Sequence, residues 1–241
     1  MKKNLLKILA CPACRFHPLI LTATRVVRNE VVAGMLRCPE CNQEYPIENE
    51  IPELLIGLKG WYEGAGSPEA YDEHFDKWGP KTQAQAKHPW PYKIVIAKRT
   101  RGLVLDVGCG PGFLQRYLEN TIFLDFSLVC LLKRWIGKSR PRVRANAESL
   151  PFRDWTFDTV VATELIEHTD NPHKLVEEVH RVLKEGGQFL FSFPWRDRSS
   201  THHFKVITKD MVHEWISPFF AEYEYDVPPV RKERGMVYAR K

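Results

Sequence analysis

The stretch that most constrains the fold is residues 103–118, which reads LVLDVGCGPGFLQRYL. Its first residues form an apolar run interrupted by Asp106, as expected of a strand buried on both faces of a parallel sheet. Three glycines that permit positive φ and close approach of a ligand come next, at Gly108, Gly110 and Gly112. From Phe113 the apolar spacing predicts a helix. This order predicts a cofactor site at the turn, although glycines that serve packing alone would look the same.

Two later segments predict loops that converge on the same sheet edge. Residues 122–124 form a short apolar strand that ends in Asp125, where such a fold places a carboxylate to bind two ribose hydroxyls. Residues 146–152, NAESLPF, precede a further apolar strand at residues 157–162. Because ligands bind at the carboxyl ends of parallel strands, the three loops predict one ligand crevice.

The glycine turn, the acidic strand end and the segments after them, taken in this order, resemble the class I S-adenosylmethionine-dependent methyltransferases, specifically the methyltransferase type 11 group. The resemblance covers roughly residues 70–241 and rests on DVGCGPG, FLDFS, NAESLPF with WTFD after it, and TELIEH before KLVEEVHRVLKEGGQFLFSFP. It implies an α/β, Rossmann-like fold with a seven-stranded sheet and S-adenosylmethionine as the cofactor. An NAD site would instead need the Gly-x-Gly-x-x-Gly spacing, which this turn does not supply.

The resemblance also implies which residues hold the cofactor. Asp106 and the glycine turn would hold the methionine part, Asp125 the ribose, and Asn146 with the backbone of the next residue the adenine edge. The whole predicted set is Asp106, Gly108, Cys109, Gly110, Gly112, Asp125, Phe126, Asn146, Ala147, Glu148 and Thr163. The family more often has Asp at position 146, but an amide can also hydrogen-bond an exocyclic amine. For Cys109 a small residue that fills a tight turn is favoured over a nucleophile.

A second motif lies near the amino terminus, where four cysteines form two C-x2-C pairs: Cys11, Cys14, Cys38 and Cys41. Four thiolates around one tetrahedral ion are typical of a closed structural site, so zinc is predicted, with iron as the alternative metal. The β-rich runs at residues 19–27 and 31–36 predict a hairpin that brings the pairs together.

Residues 4–56 resemble the zinc-ribbon family of the activator subunit of tRNA and release-factor methyltransferases. This likeness implies that the ribbon supports a catalytic domain, with docking of the substrate as the alternative. A segment of about 55 residues has a small core, so a metal that binds with a free energy on the order of 10 kcal/mol would stabilise its fold directly.

These motifs divide the 241 residues into three parts. We expect a zinc-ribbon module at residues 1–57, a linker and lid segment at 58–100, and a methyltransferase domain at 101–241. The chain has no apolar run near the ~18 residues that a membrane span requires, and its amino terminus does not have the pattern of a signal peptide. A cytoplasmic protein that does not bind membranes is therefore expected.

Methyl transfer from a sulfonium needs an acceptor atom held in line with the methyl group and shielded from water. A histidine could accept a proton from the acceptor, and His202 and His203 are the predicted catalytic residues because they follow the QFLFSFP strand. Trp195 could form a wall of the acceptor pocket, beneath a lid at residues 71–78. Taken singly, each histidine is more simply read as a surface residue, as is His168.

The acceptor is predicted to be a small molecule. The segment after the fourth strand reads ATELIEH and lacks the N-P-P-[Tyr/Phe] signature of amino-group methylation on nucleobases and glutamine. RNA or protein is the alternative acceptor, docked by the ribbon and by a basic run at residues 133–144, although a solvated face is the simpler interpretation of that run. A third reading is a non-catalytic scaffold that binds cofactor or a partner methyltransferase.

Overall fold

The computed structural model describes residues 1–58, 67–77, 91–132, 140–194, 207–227 and 234–241. Within these ranges eleven strands form one continuous sheet. In chain order they are β1 (Ile20–Val27), β2 (Glu30–Arg37), β3 (Glu44–Glu48), β4 (Ile51–Leu54), β5 (Val104–Val107), β6 (Thr121–Asp125), β7 (Arg142–Ala145), β8 (Phe157–Thr163), β9 (Leu183–Pro194), β10 (Glu222–Asp226) and β11 (Arg234–Arg240). Their order across the sheet is β1-β2-β3-β4-β7-β6-β5-β8-β9-β11-β10.

The last seven strands form the predicted Rossmann-like unit. Strands β5 to β9 pair in parallel, and β11 runs antiparallel between β9 and β10. Strand β5 is central and every one of its residues is buried, in agreement with the apolar run that predicted it. The chain therefore winds outward in both directions from β5, and the carboxyl ends of β5 to β8 meet at one edge.

The ribbon is built from two tight hairpins and then continues into the main sheet. Arg28–Asn29 and Asn49–Glu50 take positive φ, as type I′ turns between antiparallel strands require. Strand β4 then leaves the ribbon and pairs in parallel with β7, with Glu53 opposite Arg144. The sequence did not predict that this strand would extend the seven-stranded sheet.

Helices cover the sheet. The described ones are α1 (Pro68–Lys77), α2 (Pro91–Lys98), α3 (Leu128–Leu132), α4 (Pro172–Val182) and α5 (Lys209–Ile216), with 3-10 turns at Leu5–Lys7 and Ile166–His168. Pro172 predicts the start of a helix, and α4 begins there, with the Asn171 side chain accepting from the Lys174 N–H at 3.0 Å. None of the helices in the described ranges is long and apolar enough to cross a membrane.

Two local predictions were wrong. The residues after Phe113 form successive turns instead of a helix, because backbone N–H groups bond three residues back, as Tyr117 does to Leu114 at 2.8 Å. The apolar run at residues 188–193 also predicts a strand that begins after Gly186 and Gly187, but both glycines lie inside β9. Phe157 pairs with Leu183, but two residues later on β8 the partner is Gln188, so the glycines fill a bulge.

The ribbon and the larger unit share one apolar core. Leu9, Leu36 and Ile47 belong to the same buried cluster as Leu105 and Phe189. Separating the two parts would therefore expose apolar surface on both of them.

Candidate functional site

The glycine turn after β5 has the backbone geometry that its sequence predicted. Gly108, Gly110 and Gly112 all have positive φ, at 66°, 54° and 83°. A Cβ atom on Gly108 would lie 2.7 Å from Cδ1 of Leu165, so a larger residue would displace the loop after β8. The glycines thus serve both the turn itself and the close packing of the next strand-end loop.

Asp125, at the end of β6, ties this turn to its neighbour. Its carboxylate accepts the Gly110 N–H at 2.7 Å and the Ser127 N–H at 2.9 Å, and the residue is 3% exposed. Burial raises the pKa of Asp125 to about 6, against the opposing effect of these hydrogen bonds. Burial likewise raises the pKa of Asp106 to about 7, although the Lys93 ammonium lowers it and Asp125 adds to the rise.

A pocket opens at this edge, between the ends of β5, β6, β7 and β8. Five of the predicted cofactor residues line it: Gly108, Asp125, Phe126, Asn146 and Ala147. Its wall also includes six residues that the sequence did not assign to the cofactor: Leu58, Leu124, Ala145, Glu164, Leu165 and His168. The structure thus brings the three predicted strand-end loops around one pocket.

Other residues of the predicted set have structural contacts outside that lining. The Cys109 thiol is buried, and burial raises its pKa well above the usual value, so it is protonated at neutral pH and fits the small-residue interpretation. The Glu148 carboxylate accepts the Asn171 N–H at the start of α4, at 3.1 Å. Thr163 is buried in β8 opposite Ser192.

The Asn146 side chain is bound on both sides by backbone groups. Its Oδ1 accepts the Glu148 N–H at 2.9 Å. Its Nδ2 points to the carbonyls of Ile56 and Gly57, at 3.3 and 3.5 Å, in the segment that follows β4. The amide predicted to bind the adenine edge is therefore hydrogen-bonded to the segment that follows β4, at residues 56–57.

Glu164 lies at the end of β8 in a conformation that is rare for a non-glycine residue, with φ of 56°. Its carboxylate forms an ion pair with the Arg234 guanidinium at 2.7 Å and accepts the Ser192 hydroxyl at 3.1 Å. Strain of this kind persists where surrounding contacts fix the residue, and it clusters at functional sites.

Glu167, three residues later, is completely buried. Neither of its carboxylate oxygens has a hydrogen-bond partner among the described residues, and the nearer imidazole nitrogen of His168 is 3.9 Å away. Burial, and then the charge of Glu164, raise the pKa of Glu167 well above its usual range. Lys93 on α2 is also buried, which lowers its pKa. Sequence reasoning missed this acidic cluster, whose signal was the ELIEH run directly after β8.

The four cysteines form the candidate metal centre. Their Sγ atoms lie within 4.8 Å of one another, and the Cys11–Cys41 and Cys14–Cys38 sulfur pairs are each 3.5 Å apart. Bonds of about 2.3 Å to one tetrahedral zinc ion place sulfurs at nearly this separation, so the donor set fits zinc. Tyr45 Oη lies 3.1 Å from Cys11 Sγ, a contact outside the ligand set that the sequence did not predict.

The predicted acceptor residues His202, His203 and Trp195 lie outside the described residues. Of the predicted lid, the backbone of α1 is described. The Ser127 hydroxyl donates to the Asp72 carboxylate, which also accepts the Val129 N–H at 3.3 Å. Helix α1 is thereby fixed to the start of α3, beside the Asp125 loop.

The basic run is largely internal where it is described. Arg140 donates to the Leu118 carbonyl at 2.6 Å, and Arg142 to the Leu131 carbonyl at 2.7 Å. Arg144 forms a 2.7 Å ion pair with Glu53 of β4. These guanidinium groups therefore stabilise the fold; residues 133–139 lie outside the described ranges.

Two family models each match a part of the chain. Residues 105–191 match the family described as methyltransferase domain, and residues 2–50 match the Trm112p-like protein family. These matches, together with the four-cysteine cluster, support S-adenosylmethionine as the cofactor and zinc as the structural metal, as the sequence predicted.

Curated relatives match over part of their length. An uncharacterized protein of Methanocaldococcus jannaschii is 44% identical over 36% of this chain and 39% of its own length. The sterol 24-C-methyltransferase of Schizosaccharomyces pombe is 35% identical over 44% of this chain and 31% of its own. The chain thus spans under half the length of these two relatives.

Among solved structures, a complex between the Haloferax volcanii Trm112 methyltransferase activator and a putative methyltransferase has a TM-score of 0.58. Its identity to this chain is 16%, over 70% of this chain and 96% of that one. At this identity the likeness shows the fold, which is that of a class I methyltransferase.

Proposed function

We propose that this chain, a methyltransferase domain joined to a Trm112p-like zinc ribbon, transfers a methyl group from S-adenosylmethionine to a small-molecule acceptor. The observation that carries the proposal is the strand-end pocket, where a glycine turn with positive φ meets the buried carboxylate of Asp125. In this proposal Asp125 binds the ribose and the glycine turn faces the methionine part.

The cofactor, when bound, supplies a methyl group on a positively charged sulfur. The chain's own residues have to bind the acceptor, align its nucleophilic atom and exclude water. Glu164 and His168 line the pocket at the end of β8, next to the buried Glu167, and we assign them to the acceptor side. A histidine there could accept the proton of a hydroxyl or amine acceptor as the new bond forms.

A small acceptor fits this site better than RNA. The acceptor-side groups are buried or partly buried, and the pocket lies at a strand-end edge, next to the loop whose Ser127 and Val129 contact Asp72 of α1. Arg140, Arg142 and Arg144 are engaged within the fold, which reduces the basic surface that could bind a phosphate backbone. A scaffold for a separate methyltransferase is disfavoured because β4 is already paired with β7 of the same chain.

The direct test is turnover with radiolabelled S-adenosylmethionine against separate metabolite, RNA and protein fractions. We expect label to enter the metabolite fraction and to depend on Asp125, so the Asp125→Ala variant should transfer none. Label in RNA or protein would reject the small-molecule acceptor but retain the methyltransferase. Cofactor binding without transfer to any fraction would instead favour the scaffold.

His202 and His203 remain our candidates for the base. Once an acceptor is known, His202→Ala and His203→Ala should lower turnover and leave the affinity for S-adenosylhomocysteine unchanged, because the residues act on the second substrate. His168→Ala tests the rival base in the described pocket wall, and a loss of turnover in that variant alone would assign the proton transfer to His168. Full turnover by both His202 and His203 variants from pH 6 to 9 would exclude them as the base.

A further inference from the structure

A cluster of charged side chains lies at the edge of the sheet where the pocket opens. Among the described residues, three carboxyl groups and two cations interact there through their charges. They are Asp106 of β5, Glu164 and Glu167 after β8, Lys93 of α2 and Arg234 of β11. Tyr92 of α2 lies beside them, but burial raises the pKa of its hydroxyl, so it adds no charge at neutral pH. We call the five charged residues the edge cluster.

Both cations of the edge cluster already have an acid next to them. The Arg234 Nε atom is 2.7 Å from the Glu164 carboxylate, and both side chains are at most 14% exposed. The Lys93 ammonium lowers the pKa of Asp106, against burial, which raises it. Two cations therefore face three acids, and the charge of Asp125 on the neighbouring loop acts on Asp106 as well.

Glu167 is the acid of the edge cluster to which the fold supplies least. It is completely buried, and neither of its oxygens has a hydrogen-bond partner among the described residues. Burial and the charge of Glu164 raise its pKa, because a carboxylate without donors or a cation is unstable away from water. Buried polar groups in native folds have partners as a rule, so this exception indicates a ligand that supplies one.

The residues on either side of Glu167 in the chain reach the pocket. Glu164 and His168 line it, and the His168 imidazole lies between the pocket and Glu167, with Nε2 3.9 Å from the buried carboxyl group. Asp125 lines the pocket as well, whereas the described lining residues include no Lys or Arg. A positively charged ligand group would thus be attracted to this wall, and a carboxylate or phosphate would be repelled by it.

We propose that the methyl acceptor is an aliphatic amine and that Glu164 and Glu167 select it, because the edge cluster lacks a cation for one of its acids. The inference rests on the proposed function, since it takes this pocket to be the site of methyl transfer. The amine enters as an ammonium ion, and its charge stabilises the carboxylate of Glu167 once water has left the pocket.

Methyl transfer to an amine keeps a positive charge in the site. The ammonium ion first loses a proton to a histidine, and the nitrogen lone pair then forms the new N–C bond. The methyl–sulfur bond breaks with its electron pair left on sulfur, so the charge of the sulfonium passes to the methylated nitrogen. A hydroxyl or carboxylate acceptor would end as a neutral product and leave the acids without a cation.

An aliphatic amine also agrees with the segment after β8. Its nitrogen has a free lone pair, whereas the amino groups of nucleobases and of glutamine share theirs with a neighbouring π system. Residues 162–168, ATELIEH, lack the N-P-P-[Tyr/Phe] signature of methylation on such groups. The acids of this segment therefore suit a nitrogen that needs a counter-charge and no activation beyond the loss of its proton.

Transfer of radiolabel to fractions of a metabolite extract tests the class of acceptor. A cation exchanger at about pH 3 retains aliphatic amines and passes neutral and acidic metabolites. We expect the zinc-loaded full chain to label the retained fraction, and acetylation of its amines with acetic anhydride to abolish the labelling. Label in the unretained metabolites, in RNA or in protein, or labelling that survives acetylation, would overturn the amine acceptor but keep the methyltransferase. Transfer to no fraction at all would refute the proposed function.

Calorimetric titration tests the acids without an acceptor. Sinefungin has an amine on a carbon atom where the cofactor has its sulfonium methyl, whereas S-adenosylhomocysteine is uncharged there. The wild type should bind sinefungin about 10- to 150-fold more tightly, the effect of one contact to a charged group. It should also release a proton on binding, seen in buffers of different ionisation enthalpy, because Glu167 ionises. Equal affinities for the two ligands would overturn the proposal, and binding of neither would refute the cofactor site itself.

Glu167→Gln should lose the proton release and most of the preference for sinefungin. The matched control is Glu178→Gln, since Glu178 is 2% exposed but its partners Arg15, Leu150 and Arg181 do not line the pocket. That variant should keep both properties. An unchanged Glu167→Gln variant, or equal losses in the two variants, would contradict the assignment of the selecting charge to Glu167.

Discussion

At the scale of single residues, the site combines buried acids whose ionisation is opposed by burial. Asp125 and Asp106 have pKa values of about 6 and about 7, and the pKa of Glu167 is raised well above its usual range. Each acid ionises more readily when a cation or hydrogen-bond donors lie next to its carboxylate. Binding of the cofactor and unfolding of the chain should therefore both depend on pH.

The affinity for S-adenosylhomocysteine should fall as the pH drops from 7 to 5. Asp125 accepts ribose hydroxyls best as a carboxylate, and its pKa of about 6 means that the carboxylate is lost in this window. Asp125→Asn should bind about 1.5–3 kcal/mol more weakly at pH 7.5 and lose the dependence on pH. Calorimetry at four pH values would check both effects, and an equal pH dependence in the variant would assign it to another group.

Glu167→Gln should stabilise the chain at alkaline pH. The pKa of Glu167 is raised in the folded chain, so the folded chain keeps a proton that the unfolded chain releases above about pH 4.5. The free energy of unfolding therefore decreases as the pH rises from about 4.5 toward the folded-state pKa. The uncharged amide has no such dependence. Urea unfolding should show that the free energy of unfolding of the variant, relative to the wild type, is greater at pH 8 than at pH 5. The same difference at both pH values would mean that Glu167 does not titrate.

At the scale of elements, the joint between β4 and β7 decides how the ribbon is attached. Its backbone ladder is short, with two paired positions, Glu53 with Arg144 and Leu54 with Ala145. The ion pair of the first position has side chains only 18% and 16% exposed, so solvent screens it less than a surface pair. Arg144 also donates to the Phe126 carbonyl at 3.0 Å, which connects this joint to the Asp125 loop.

Glu53→Ala should lower the free energy of unfolding by about 1.5–3 kcal/mol, because it leaves the Arg144 guanidinium partly buried without its carboxylate. The matched control is Glu224→Ala, which removes an ion pair to Arg99 whose side chains are 78% and 46% exposed. That variant should lose less than about 1 kcal/mol in the same urea titration. Similar losses in both variants would mean that the β4–β7 pair behaves as a surface contact.

At the scale of the whole molecule, one sheet and one core join the ribbon to the larger unit. The division of the chain into domains at residues 57 and 100 therefore remains a prediction from the sequence motifs. Unfolding of the ribbon should propagate through β4 to β7 and to the loop at residues 146–153, which is hydrogen-bonded to the ribbon. The metal centre would then stabilise more of the chain than its own 50 or so residues.

The purified chain should contain about one equivalent of zinc, and Cys38→Ser should lose most of it because one of four thiolates is missing. Chelation should lower the thermal midpoint of a single transition that includes the large sheet. Metal analysis and calorimetric melting would check these outcomes. Iron in place of zinc would correct the identity of the metal but support the four-cysteine site. Less than half an equivalent of any metal would reject the site.

The sequence by itself determined the features that are encoded locally. The C-x2-C spacing, the glycines after β5 and the acid that ends β6 are short-range patterns, since a turn or a knuckle needs particular residues at fixed offsets. The same local reading failed after Phe113, where it predicted a helix, and at Gly186 and Gly187, which it placed between a helix and a strand although they lie in a bulge of β9.

Only the tertiary structure decided how these local features meet. Ser149 and Pro12 are 137 positions apart, and Arg15 and Glu178 are 163 apart, so no spacing in the sequence indicates that they touch. The same holds for the pairing of β4 with β7 and for the burial of Glu167. Such contacts are selected by the packing of the whole core, because a partner for each polar group is needed only once folding has removed water from it.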